Sequence, residues 1–541
     1  MKDISSTGSF VDFTLENFIY VDKTVYIPQL VKLKRVFISR PRRFGKSLTL
    51  DTIATLFETG VEPYFKGTWI YDKWTEPTYP VLRLNFLNFD KNTLEKFNNK
   101  LNSKITEFAE LNQVTTYKEK EEAEDSIDHL LEQLRLEGRQ IVILIDEYDC
   151  QMTANINNEP LYKQFQEKIK SFYANIKDKF AIKFLGITGV TRLKDVSIFS
   201  VGSDINDITN ASAYSQMIGF TRDEIKKYYI DYLKLASSYE NNCSVGDVTD
   251  TQLESMLDMM AQNYDGYCFD EDYEKKVFST WSVNKFFQTM IEKKKVQFGE
   301  YWYDNGGLPS ILVNYLKTHE LNIFEYLDKD KFLKVSSDDF KNPTALTTIN
   351  QNVLMCQTGY LTLRSDLNKT STVALGIPNG EIYKALNRLL ANNIFKGNTD
   401  ITDDYGRSLL EVGTVDDIIN LFNSALNSVS YDNYPIVSES SVQNMLKLYL
   451  LGAHQEVLSE VHEAKGRADL VVNTDNRRIV FEFKYAKNEA EAKSKLSEAV
   501  EQIKTRDYGN ILPKKNELIR IAAVFNADPK VRAFTENQIV P

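Results

Sequence analysis

Arg35-Val36-Phe37-Ile38-Ser39-Arg40-Pro41-Arg42-Arg43-Phe44-Gly45-Lys46-Ser47 decides the N-terminal half of this chain. The run Arg35 to Arg40 reads as a buried strand. It feeds a short loop, and Leu48 then opens a helical pattern. A loop that grips phosphate needs inward backbone N–H groups, a lysine for the β and γ phosphates and a hydroxyl for Mg²⁺, all at a helix N-terminus. Gly45 gives the close approach, Lys46 the charge and Ser47 the metal ligand, with Arg42 and Arg43 as further cations. Arg40 stands where the general GxxxxGK[ST] pattern has its first glycine, so the match to that pattern is incomplete.

Further strands are read at Pro80 to Phe86, Gln140 to Asp146 and Lys183 to Val190, separated by amphipathic helical stretches. Such alternation predicts a parallel sheet with helices on both faces. The run Ile141-Val142-Ile143-Leu144-Ile145 ends in Asp146-Glu147. An aspartate there can serve Mg²⁺ bound with ATP, and the adjacent glutamate can polarise the attacking water. Thr188, Thr191 and Arg192 end the next strand, where a hydroxyl can sense the γ phosphate and a guanidinium can neutralise transition-state charge.

Beyond Thr221 the strands thin out, and Thr221-Arg222-Asp223-Glu224 before Ile225 is a capping box that opens a helical region reaching about residue 370. Asn368 to Gly380 reads as a boundary or an edge hairpin, and 381–430 as helices. The last segment reads αβββαβ: a helix at Ser441 to Leu451, strands at Val457 to Glu460, Ala468 to Val472 and Ile479 to Tyr485, a helix at Glu489 to Thr505 and a strand at Ile519 to Phe525. The expected division is therefore 1–220, 221–380, 381–430 and 431–541.

Glu482 and Lys484 are two apart on a strand and share one face, with Phe481 and Phe483 on the other. Asp469, on the preceding strand of an expected hairpin, can converge on Glu482 to give two hard oxygen ligands for Mg²⁺ or Mn²⁺. Lys484 would orient water and offset phosphorane charge. Glu460 is a further candidate ligand, and Gln502 lies on the following helix.

Composition bounds these readings. With 541 residues, 42% hydrophobic and 26% charged, the chain exceeds one core and has no sign of disorder. No apolar run spans a bilayer and no signal peptide is read at Met1 to Phe13, so a cytoplasmic protein without a membrane partner is expected. Cys150, Cys243, Cys268 and Cys356 are scattered, as are the histidines apart from His454 and His462. Neither a disulfide framework nor a zinc site is indicated. A net charge of −11 argues that any nucleic-acid groove is local. Residues 431–541 hold roughly equal numbers of acids and bases, which makes that region the expected place for one.

These words together resemble a bacterial family that joins an AAA-ATPase-like N-terminal domain to a C-terminal PD-(D/E)xK nuclease-superfamily domain. Tyr20-Val21-Asp22-Lys23-Thr24, Arg40 to Ser47, Asp146-Glu147, Tyr264-Asp265-Gly266-Tyr267, Gly359-Tyr360-Leu361-Thr362, Ile377-Pro378-Asn379, Gly466 to Asp469 and Glu482-Phe483-Lys484 carry the resemblance. Arginine at the position of Arg40 is shared with that family. The resemblance implies an AAA-like P-loop sheet, a helical middle and a restriction-endonuclease-like C-terminal domain. It implies ATP at Lys46 and Ser47, Mg²⁺ and hydrolysis at Asp146 and Glu147, and nuclease metal chemistry at Asp469, Glu482 and Lys484. DNA is the expected substrate, with RNA open. A homo-oligomer is also left open, and an NTP-gated binding switch that does not cleave is the competing reading. The aromatics of Tyr264 to Tyr267 are expected to pack the helical region.

Overall fold

The computed structural model describes the chain except residues 177–178, 194–204, 303–309, 317–318, 320–321, 344, 396–404, 454, 464–465 and 511–513, and the side chains of 310, 405–407, 456, 459–463 and 466. It forms two compact units, Met1–His319 with Asp330–Ile382, and Glu320–Lys329 with Tyr383–Pro541. Among the described residues no helix is long and apolar enough to cross a membrane.

The first unit is built on β1 (Arg35–Ser39), β2 (Val81–Asn85), β3 (Ile141–Asp146), β4 (Ile182–Gly189) and β5 (Asn206–Asp207), in the order β2-β3-β4-β1-β5. All pairs are parallel. β1 and β3 are buried along their whole length, as continuous β-branched runs are when helices cover both faces. The register pairs Ser39 with Gly189 and Ile145 with Ile187, so β1, β3 and β4 end together. The ends of such strands are where a parallel sheet presents ligand groups. The four expected strands are present, and β5 is an addition to them. Two residues are too few for a periodic signal.

The helices Arg222–Tyr228, Ile230–Asn241, Asp250–Tyr264 and Thr280–Lys293 follow and bury Tyr229, Leu233, Met256, Met260, Phe286 and Phe287 in one core. Both bonds of the Thr221–Glu224 capping box form. Tyr264 and Tyr267 are fully buried, as packing residues should be. Gly266 has φ +91°, and a Cβ there would run into the Pro378 carbonyl, so the close approach demands glycine. Asn379 Nδ2 donates to the Asp265 carbonyl at 2.7 Å, so two motif words far apart in sequence clasp each other. The region is less purely helical than expected. An antiparallel sheet of β6 (Leu333–Ser336), β7 (Thr362–Leu363) and β8 (Thr372–Gly376) interrupts it, and β7 with β8 forms the hairpin expected near 368–380.

The second unit has the order β13-β12-β11-β10-β9, from β9 (Glu456–Glu463), β10 (Gly466–Asn473), β11 (Arg477–Ala486), β12 (Glu517–Asn526) and β13 (Ala533–Ile539). β9, β10 and β11 pair antiparallel, and the helix Glu489–Arg506 makes the crossover to β12, which runs parallel to β11. The helix Glu439–Gly452 precedes the strands. The expected αβββαβ order is thus present with β13 added at the edge. Ala-Phe-Thr-Glu-Asn-Gln-Ile buries only Phe534, too little apolar alternation to read as a strand.

Candidate functional sites

After β1 the chain turns through Arg43 (φ +69°) and Gly45 (φ +103°), and Gly45 opens the helix Lys46–Thr59. A Cβ at Gly45 would meet nothing within 4 Å, so the turn leaves open space in front of the helix N-terminus. Lys46 is buried, and its Nζ donates to the carbonyls of Arg40 (3.0 Å) and Pro41 (3.2 Å) and lies 3.6 Å from Glu147 Oε1. Ser47 Oγ donates to Asp146 Oδ2 at 2.6 Å. Thr188 Oγ1 donates to Asp146 Oδ1 at 2.5 Å. The structure therefore brings Gly45, Lys46, Ser47, Asp146, Glu147 and Thr188 together where β1, β3 and β4 end.

Glu147 holds a left-handed backbone at φ +53°, which costs about 1–3 kcal/mol and aims it back over the loop. Burial raises its carboxyl pKa, and Lys46 and Arg42 act against that rise. Arg43 is committed elsewhere: its Nη1 donates to the carbonyls of Tyr301 (2.6 Å) and Trp302 (3.2 Å), and its guanidinium lies 4.7 Å from the centre of a Trp281 ring.

Arg40 is also explained. Its Nη1 donates to the Ser39 (2.9 Å) and Thr209 (2.5 Å) carbonyls, and its guanidinium stacks 4.2 Å from the Phe269 ring. Burial lowers its pKa to about 9, with Asp207 opposing. The arginine is a strut under the loop, in place of the usual glycine. Arg192 pairs with Asp207 and donates to the Lys341 carbonyl, and Thr191 is held by Asp149 through N and Oγ1, each at 2.6 Å. Neither reaches Asp146 as Thr188 does. A cavity of about 160 Å³ opens beside Gly45, lined by Ile19, Tyr20, Ile27, Leu48, Met217 and Trp281 among others.

In the second unit Asp469 lies on β10 and Glu482 on β11, one step beyond the paired Leu470 and Phe481. Asp469 Oδ2 accepts from Phe483 N at 2.9 Å, which fixes the carboxylate across the strands. Glu482 is 0% exposed. Its Oε1 accepts from Lys484 Nζ at 2.8 Å, and its Oε2 is buried with no hydrogen-bond partner among the described residues. Burial first, and then the charge of Asp469, raise the Glu482 pKa to about 7, with Lys484 opposing. Burial likewise raises Asp469. Phe481 and Phe483 turn to the opposite face and stack at 5.5 Å. Glu460 falls outside the described side chains, and His454 and His462 do too. Among the described residues no three His, Cys, Asp or Glu side chains gather as a metal cage.

Two residues here were missed by sequence reading. Glu439 Oε1 lies 3.3 Å from Lys484 Nζ, and Gln443 Nε2 donates to the Asp469 carbonyl at 2.5 Å. They stand four apart on one helix face. Ser438, the N-cap, was the available signal: starting the helix there rather than at Ser441 includes Glu439. Gln502 Nε2 contacts Tyr508 Oη at 3.5 Å.

The donor sets fit the groups that such sites hold. The open face at Gly45 with Lys46 behind it suits a polyphosphate, and Ser47 with Asp146 suits its Mg²⁺. The buried Glu482 Oε2, without a partner among the described residues and beside Asp469, suits a hard divalent cation.

Comparison with known proteins agrees. Over 533 residues the chain is 26% identical to an uncharacterized protein in the vnfD 5' region of Azotobacter chroococcum mcd 1, covering 95% of this chain and 94% of that one. The crystal structure of Cdc6p from Pyrobaculum aerophilum aligns with 66% of this chain and 88% of its own at 10% identity, but a TM-score of 0.21 gives that likeness no weight. Residues 5–199 match the model of a predicted AAA-ATPase family and residues 437–535 that of the PD-(D/E)XK nuclease superfamily. The chain thus joins an AAA-ATPase-like domain at its N-terminal end to a PD-(D/E)XK nuclease-superfamily domain at its C-terminal end.

Proposed function

We propose that the protein binds and hydrolyses ATP in its N-terminal domain and cleaves DNA in a Mg²⁺-dependent way in its C-terminal domain. Lys46 and the loop amides take the phosphates, and Arg42 is the loop arginine left to reach them, since Arg43 is held by Tyr301 and Trp302. The apolar cavity beside Gly45 takes the base. Ser47 and Asp146 would hold Mg²⁺, and Glu147, beside Lys46, orients and polarises the attacking water. In the C-terminal domain Asp469 and Glu482 would hold the cation. Lys484 orients water and offsets the charge that gathers on the phosphorus oxygens. Bound Mg²⁺ supplies Lewis-acid charge at both places. The division into 1–220, 221–380, 381–430 and 431–541 belongs to this reading, as does a cytoplasmic setting.

The observation that carries the nuclease half is the buried Glu482 Oε2, which has no partner among the described residues. An unsatisfied carboxylate oxygen costs about 1–3 kcal/mol or more, and a cation shared with Asp469 removes that cost. The even charge balance of residues 431–541 favours a second reading, an NTP-gated switch whose nuclease-like domain grips nucleic acid without cutting. Purified protein incubated with linear, circular and single-stranded DNA and with RNA, with and without ATP and Mg²⁺, separates the two. Mg²⁺-dependent cleavage that Glu482→Ala abolishes supports the first reading, and binding without cleavage supports the second.

A further inference from the structure

Basic side chains gather at the opposite end of the N-terminal sheet from the phosphate loop. A cleft of about 630 Å³ is lined by Lys32, Lys34, Arg35, Lys73, Lys179 and Lys183, with Glu76 as its acid. Arg35 starts β1, and Lys183 is the second residue of β4. The strands are parallel, so this end lies about 17 Å from the loop that follows Ser39. In a chain of net charge −11, six cations stand here among the described residues against Glu76 in the lining and Asp72 and Asp128 beside it, a local excess of positive charge.

Three of the lysines are paired: Lys183 with Glu76 (2.6 Å), Lys179 with Asp128 (2.5 Å) and Lys73 with Asp72 (2.6 Å). The Lys179 and Lys73 pairs are exposed and contribute about 0–1 kcal/mol each, so a phosphate can replace their acids. Lys32 and Lys34 are exposed and make no ion pair among the described residues. Two aromatic rings stand among these cations. Phe180 is 69% exposed, and Trp74 lines the cleft with an Nε1 that has no partner among the described residues.

We propose that this cleft binds single-stranded nucleic acid, with Lys32, Lys34 and Lys179 on the phosphates and Phe180 stacked on a base. Cations that track a backbone, with exposed rings between them, are what a single strand needs. A duplex would offer no free base face to Phe180, and an acidic peptide would leave the ring unused. The inference rests on the reading that the protein acts on nucleic acid, and it puts the grip in the N-terminal unit, apart from the cutting residues. The distance from the loop lets ATP and the strand bind together.

The test is fluorescence anisotropy on the full chain in EDTA, with labelled oligo(dT), oligo(rU) and a duplex of equal length, at low and moderate salt. The single strands should bind more tightly than the duplex, and the relative affinity of the two tells whether DNA or RNA is the source. Lys32→Glu with Lys34→Glu should weaken binding about tenfold or more and flatten the salt dependence. Phe180→Ala should weaken it about tenfold. Both variants should keep the wild-type ATPase rate and unfolding temperature. Wild-type affinity in both variants, a preference for duplex, or no binding to any probe overturns the proposal. Wild-type protein that binds strands but never cleaves them with Mg²⁺ sinks the nuclease reading alone. Cleavage together with unaltered binding by the variants sinks the cleft alone.

Discussion

At the end of β3, Asp146 has each carboxylate oxygen met by a hydroxyl, Ser47 on one side and Thr188 on the other. On β11, Glu482 has one oxygen on Lys484 and the other on no partner among the described residues. The first site is satisfied before any ligand arrives, because Lys46 too is taken up by loop carbonyls. The second is short of positive charge, and its carboxyl pKa rises to about 7 because burial and Asp469 outweigh Lys484. Ligand binding at the loop must exchange existing bonds. At the C-terminal site it supplies a missing one.

The largest effects expected are catalytic. Glu482→Ala or Asp469→Ala should lower DNA cleavage about a hundredfold or more and leave ATP turnover at the wild-type rate. Lys46→Ala should abolish ATP binding, measured by calorimetry, while Glu147→Gln keeps ATP bound and stops turnover. Unchanged cleavage by Glu482→Ala would break the comparison at its second half, and unchanged ATP affinity in Lys46→Ala at its first.

A third buried carboxyl sharpens the contrast. Glu381 is 2% exposed and has both oxygens met, by Ser282 Oγ at 2.7 Å and Trp302 N at 2.8 Å, with no cation pairing it among the described residues. Burial raises its pKa from an ordinary 4.5 to about 8. A raised folded-state pKa gives stability that is fully present below the unfolded value and is lost as pH rises through the folded one. Stability should therefore fall between about pH 4.5 and 8, by up to about 5 kcal/mol. Glu381→Gln should remove that slope in urea unfolding and be the more stable form at pH 9. An identical pH slope in both proteins would show that Glu381 titrates normally.

If the C-terminal site is short of charge, Mg²⁺ should stabilise it without nucleic acid. At about a hundred times its dissociation constant the gain is about 2.7 kcal/mol. A rise in the unfolding temperature of wild type with Mg²⁺, absent in Glu482→Ala, is the expected result. Equal shifts in the two proteins would place the cation elsewhere.

Much of this was legible in the sequence because strong local patterns carried it. The continuous apolar runs of β1 and β3 and the two-residue spacing of Glu482 and Lys484 leave little freedom. β5 and β13 were not legible, since a two-residue strand and a polar edge strand have no period to detect. Glu439 was missed through a helix boundary set two residues late, the least reliable part of any such reading. Arg43 was read as a phosphate ligand by proximity in sequence, yet its partners Tyr301 and Trp302 lie far along the chain and only the fold reveals them.

The smallest effect tests the claim that the first site is satisfied by itself. Thr188→Val removes one hydroxyl from Asp146 and keeps the side-chain volume, and Ser47 remains on the other oxygen. One hydrogen bond of this kind contributes about 1 kcal/mol, so ligand-free unfolding should shift by about that much and no more. Lys484→Met removes the one bond that Glu482 has among the described residues, and in Mg²⁺-free protein it should cost more, since a buried carboxylate then loses that partner. Added Mg²⁺ should narrow the gap between Lys484→Met and wild type, and do nothing for Thr188→Val without nucleotide. Should Thr188→Val prove the costlier change, the two acids would have to be read the other way round, with Asp146 the strained group and Glu482 the settled one.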